Sequence, residues 1–108
     1  SMFKFVHEGL AIGGALKLKD WQNDLPKKKL VRAVSRKIAE ISVPDGDKKY
    51  PHTGEAVRVL KDGGQTLSFT QDELAVLVEL VYTCPWLTAT IDEAYSAAEW
   101  LDASEKVN

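Results

Sequence analysis

Two histidines, His7 and His52, and one cysteine, Cys84, are the side chains of this 108-residue chain best suited to nucleophilic or acid–base chemistry. A hydrolytic site needs a nucleophile, a base and an orienting acid that converge in space. Cys84 precedes Pro85 in an apolar bend, which is the setting of a buried, inert thiol rather than an activated thiolate. A zinc centre needs about four ligands at helical or knuckle spacing. His7, Glu8, His52, Glu55 and Cys84 are scattered instead, without a repeated CxxC or HxxxH. Gly13-Gly14 followed by Lys17 lacks the Gly-Lys-Ser/Thr ending of a phosphate loop. Asp45-Gly46-Asp47 has no ligand series after it to hold calcium. The expectation is a protein that is not an enzyme and uses no cofactor and no metal. A small enzyme built on His52 or Cys84 is the rival reading from that class.

Charge offers a second kind of chemistry. The formal net charge is only -2, but its distribution is uneven. Through residue 62 there are 13 basic and 8 acidic side chains, and from residue 63 onward 1 basic and 8 acidic. Such asymmetry between halves can mark an electrostatic partner. The basic side chains concentrate at Lys27, Lys28, Lys29, Arg32, Arg36 and Lys37. Lys28, Lys29, Arg32 and Arg36 form the candidate phosphate-binding set, for nucleic acid or a nucleotide ligand. No aromatic residue is interleaved for base stacking, and no helix-turn-helix or RNA-binding signature accompanies them. The acidic side comprises Asp72, Glu73, Glu79, Asp92, Glu93, Glu99, Asp102 and Glu105. Acidic helices can imitate a nucleic-acid backbone and inhibit a host enzyme. Four of these eight, however, lie in first turns, where capping and the helix dipole already account for them. Basic helix against acidic helix is also a means of self-association.

The elements that position these residues follow from period and punctuation. Phe3-Lys4-Phe5-Val6 and Leu16-Lys17-Leu18-Lys19 alternate as half-buried strands do, with Gly9 and Gly13-Gly14 between them as turn residues. Residues 3–19 are therefore expected to form a small β-meander, the competing reading being a helix over Leu10–Lys19. Asp24 caps a helix over residues 25–41, with Pro26 in its first turn. Leu30, Val31, Val34, Ile38 and Ile41 make its apolar stripe, opposite the basic face. Val43–Lys49 reads as an exposed loop. Val57–Leu60 and Thr66–Phe69 flank Asp62-Gly63-Gly64 as a hairpin, with a short helix from Thr53 to Gly63 as the alternative.

Thr70-Gln71-Asp72-Glu73 and Thr90-Ile91-Asp92-Glu93 are capping boxes. They open helices over Gln71–Thr83 and Ile91–Ala103, which the Cys84-Pro85-Trp86 break should join as an αα-hairpin. The first is apolar nearly all round: Leu74, Leu77, Val78 and Val81 form the expected buried stripe, with Val76 and Leu80 off it. In the second, Ile91, Ala94, Tyr95, Ala98 and Leu101 are expected inside and Trp100 outside. An outward tryptophan suggests a binding hot spot. Trp86 reads as a hairpin plug, or as a recognition residue.

The fold class expected is α+β: one domain over 1–108, a small antiparallel sheet covered by about three helices, with a C-terminal αα-hairpin. Ser1-Met2 reads as a tag scar and 104–108 as a frayed tail. No apolar run approaches the roughly 20 residues a bilayer crossing needs, and a lone cysteine suits a reducing compartment, so a cytoplasmic location is expected. The leading function is a non-enzymatic protein-interaction module, a homo-oligomeric accessory or regulatory protein. Its contact residues would be Trp100, Leu80, Val76 and Trp86.

Overall fold

The computed structural model describes residues 1–42, 55–83 and 89–107. Four helices and a three-stranded antiparallel sheet follow one another as α1 (Met2–Asp20), α2 (Leu25–Ser42), β1 (Arg58–Asp62), β2 (Gln65–Phe69), α3 (Gln71–Thr83), α4 (Ile91–Asp102) and β3 (Glu105–Lys106). The class is α+β. The calls on Val43–Lys49, Thr53 and Trp86 lie outside the described residues.

The first correction concerns residues 3–19, which are helix and not a β-meander. Phe3, Val6, Leu10 and Gly13 recur at helical spacing, and with Gly9 and Gly14 they are the buried positions of α1. Four residues of alternation at Phe3–Val6 cannot outweigh a stripe that runs three turns. The glycines were expected to break the chain. Here they are the small residues of a buried helix face, and Gly14 looks directly at Val31 of α2. The Ser1 hydroxyl accepts the Lys4 N–H at 3.3 Å, and Lys17 and Lys19 sit in the last turn, where the dipole favours cations.

A short turn reverses the chain into α2. The Asp24 N–H donates to the Trp21 carbonyl at 2.8 Å, and its carboxylate accepts the Lys27 N–H at 3.2 Å as the expected cap. Val31, Val34 and Ile38 are buried, as their spacing predicts.

The hairpin reading of Val57–Phe69 holds. Gly63 and Gly64 have φ of 57° and 84°, the paired left-handed conformation of a tight two-residue turn. Leu60 faces Leu67 across the ladder, and Arg58 faces Phe69. Leu60 and Phe69 go into the core with Val76, Leu77, Leu80, Ala97 and Leu101. Glu105 and Lys106, expected to fray, pair instead with Val59 and Arg58 on the other side of β1, giving the order β2-β1-β3.

Both capping boxes are present. Thr70 and Glu73 exchange bonds of 2.9 and 3.2 Å, and Thr90 and Glu93 bonds of 3.0 and 3.2 Å. The helices they open do not lie as the expected αα-hairpin would set them. The Tyr82 hydroxyl, near the end of α3, donates to Asp102 at the end of α4 over 2.8 Å. An antiparallel pair would bring Tyr82 to the start of α4 instead. Among the described residues, no helix is long and apolar enough to cross a membrane.

Candidate interaction surface

The expected contact residues are mostly inside. Val76 and Leu80 are 3% and 1% exposed. The buried row of α3 is Glu73, Val76, Leu77 and Leu80, about a quarter-turn from the stripe expected. The reason is Glu73. A carboxylate marks a helix face as solvated, yet this one is 1% exposed. Its Oε1 accepts the Thr70 N–H and the Lys37 ammonium, each at 2.9 Å. Lys37 also donates to the Ser68 carbonyl at 2.8 Å and lies 5.1 Å from the Phe69 ring centre.

Trp100 also belongs to the chain's own packing. It is half-buried, and its ring meets Phe3 edge-on with centroids 5.1 Å apart. Its indole N–H donates to the Lys61 carbonyl at 2.9 Å. That bond ties α4 to the hairpin, and the Phe3 N–H in turn donates to the Asp62 carboxylate at 2.8 Å. An aromatic with both a packing partner and a satisfied N–H has no need of a ligand.

Three residues expected inside, Ile91, Tyr95 and Val78, lie outside, and Tyr82 lies outside with them. Ile91 is 89% exposed, Tyr95 65%, Tyr82 54% and Val78 40%. On α3 the outward row runs Gln71, Ala75, Val78, Tyr82, and on α4 it runs Ile91, Tyr95, Glu99, Asp102. The Tyr82–Asp102 bond joins the two rows at their C-terminal ends. Donating to this carboxylate, with some desolvation and the nearby negative charge, raises the Tyr82 phenol above its usual 10.0. The signal that could have found this surface is the buried row itself: once Glu73 counts as internal, Val78 and Tyr82 fall opposite the core. Ile91 and Tyr95 follow likewise from taking Ala97 and Leu101 as the buried pair.

The basic face is divided. Lys37 is internal. Lys27 pairs with Glu79 at 3.2 Å and covers the Trp21 ring at 4.3 Å. Lys28 donates to the Gln22 carbonyl at 2.6 Å. Lys29, Arg32 and Arg36 remain exposed in one row, with no ion pair among the described residues. On the acidic side, Glu73, Glu79, Glu93, Asp102 and Glu105 are occupied, the last by Lys61 at 3.0 Å.

An open cavity of about 360 Å³ lies between the starts of α1 and α4, lined by Ser1, Met2, Phe5, Asp92, Glu93 and Ser96. Among the described residues its lining sets the apolar Met2 and Phe5 beside two carboxylates and two serine hydroxyls. The His7 Nδ1 is buried without a hydrogen-bond partner. Among the described residues, no three His, Cys, Asp or Glu side chains converge on a possible metal position. His52 and Cys84 lie outside them. No family model, no curated protein and no solved structure matches this chain.

Proposed function

We propose that this protein is a non-enzymatic interaction module that works as a homo-oligomer, and that its contact surface is the outward side of α3 and α4. The observation that carries this reading is the exposure of Val78, Tyr82, Ile91 and Tyr95 on adjoining helix rows. Single exposed apolar residues are ordinary, whereas a contiguous group of large ones marks an association site. Tyrosine is also enriched where one surface must bury against another. A role as an accessory or regulatory protein in the cytoplasm is consistent with a surface of this kind and belongs to the same proposal.

Two other readings have less support. Phosphate recognition by Lys28, Lys29, Arg32 and Arg36 loses Lys28 to the Gln22 carbonyl, and no outward aromatic on α2 offers a stacking face. Inhibition of a host enzyme by acidic helices loses five of its eight carboxylates to contacts within the chain.

Sedimentation of the whole chain over a range of concentrations tests the proposal. Reversible association is expected, and Ile91→Asp with Tyr95→Asp should abolish it without changing the circular dichroism spectrum. A chain that stays monomeric at every concentration overturns it.

A further inference from the structure

We propose that the outer row of α2 in one copy docks on the outer row of α4 in a second copy. This rests on the self-association proposed above and names the two faces that meet.

The rows match in length and in order of chemistry. On α2 the exposed positions are Leu25, Lys29, Arg32 and Arg36, and on α4 they are Ile91, Tyr95, Glu99 and Asp102. Each spans twelve residues of its helix, about 16 Å at the α-helical rise. Each opens on a large exposed apolar side chain, Leu25 at 56% and Ile91 at 89%. Laid side by side in the same direction, Leu25 meets Ile91. Lys29 then meets the face of Tyr95, a cation–π arrangement. Arg32 and Arg36 meet Glu99 and Asp102, where charge-assisted hydrogen bonds form. Laid in opposite directions, Leu25 would face Asp102 and Ile91 would face Arg36, so the pattern also sets polarity.

Both rows face solvent, so they satisfy each other only between copies. Lys29, Arg32, Arg36 and Glu99 have no ion pair among the described residues. Asp102 receives Tyr82 on Oδ2 and keeps its other oxygen for a guanidinium. Because the two faces differ, every copy carries one row of each kind, and each row meets the other kind on a neighbouring copy. Where both contacts form between the same two copies they close a two-fold dimer, and otherwise they produce a ring or a chain. One helix row against another is at the small end of specific interfaces, so the association is reversible. Its charges make it weaker in high salt.

Complementation by charge reversal tests the pairing, read by sedimentation at low and high salt. R32E/R36E spoils the α2 row, and E99R/D102R spoils the α4 row. Each variant alone is expected to sediment as a monomer. Mixed in equal amounts, they should associate again as a 1:1 assembly, since the unaltered rows of the two variants pair and the reversed rows, now acidic on α2 and basic on α4, pair as well. The fourfold variant R32E/R36E/E99R/D102R should associate again, which also shows that the reversals have not unfolded the chain. If the wild type associates but the reversals leave that unchanged, or the mixture stays monomeric, the α2–α4 pairing is overturned while the contact surface of α3 and α4 stands. If the wild type is monomeric, both fall. The pairing is likewise overturned if the wild type stays monomeric yet retains a mixed-sequence DNA duplex that R32E/R36E releases, which assigns the α2 row to phosphate.

Discussion

The Lys37 ammonium and the Glu73 carboxylate form a 2.9 Å ion pair that is almost closed to water, their side chains being 11% and 2% exposed. It binds α2 to the corner where β2 becomes α3, and each partner also bonds the backbone, at Ser68 and Thr70. Removing one partner from such a pair leaves an uncompensated buried charge, at a cost of about 3–5 kcal/mol. Lys37→Met should lower unfolding free energy by that order in a denaturant titration. Lys37→Met with Glu73→Gln should recover part of the loss, since the amide can still accept the Thr70 N–H.

Trp100 separates packing from hydrogen bonding. Trp100→Phe keeps a ring against Phe3 but removes the donor to the Lys61 carbonyl, and should cost about 1 kcal/mol. Trp100→Ala also empties the space, and should cost about 3 kcal/mol or more. Neither substitution should change self-association once the loss of stability is allowed for. A selective loss of association in Trp100→Phe would return this residue to the contact surface.

The two glycines of the hairpin turn are not interchangeable with Gly14. Gly64, at φ 84°, and Gly63, at φ 57°, hold a backbone that L residues avoid, with open space around each. Gly64→Ala should therefore destabilise by about 1–2 kcal/mol through backbone strain alone. At Gly14 a Cβ would stand 3.5 Å from Val31 Cγ1, an ordinary contact, in a helical backbone. Gly14→Ala should stabilise by up to about 1 kcal/mol, from helix propensity and a less flexible unfolded chain. Thermal unfolding of the two variants should move in opposite directions.

Tyr82 gives the pH dependence. Its phenol is raised above 10.0 by donating to Asp102, so the folded state holds this proton more tightly than the unfolded state. The contribution is fully present below pH 10 and is lost as pH rises through the folded pKa. Of the three tyrosines, Tyr82 should ionise above the ordinary range in an ultraviolet titration of tyrosinate. Asp102→Ala should bring it back towards 10.0. A Tyr82 that titrates normally in the unaltered chain would show that the bond does not form.

The legible parts of the fold were those with local punctuation. Asp24, Thr70 and Thr90 set three helix starts, and the Gly63-Gly64 pair set the hairpin, because caps and turns are satisfied by residues a few positions away. What could not be read were contacts closed from a distance. Glu73 looks solvent-facing until Lys37, thirty-six residues earlier, is brought to it. The phase of α3 turns on that pairing, and with it the exposure of Val78 and Tyr82. Trp100 looks outward until Lys61 and Phe3 cover it. The α1 stripe was hidden differently: three of its six buried positions are glycines, which carry no hydropathy signal. The exposed apolar side chains of α3 and α4 therefore lie on other sides of these helices than the residues expected to make contact.

Strand β1 and Val57 just before it collect segments far apart in the sequence. Asp62 takes the Phe3 N–H, the Lys61 carbonyl takes the Trp100 indole, and the Val57 carbonyl takes the Val107 N–H at 3.0 Å. During synthesis the first helix and the hairpin emerge long before the segment that locks them. A nascent chain still lacking Trp100 would have its hairpin edge and Phe3 bare, so this hub can close only after α4 has left the ribosome.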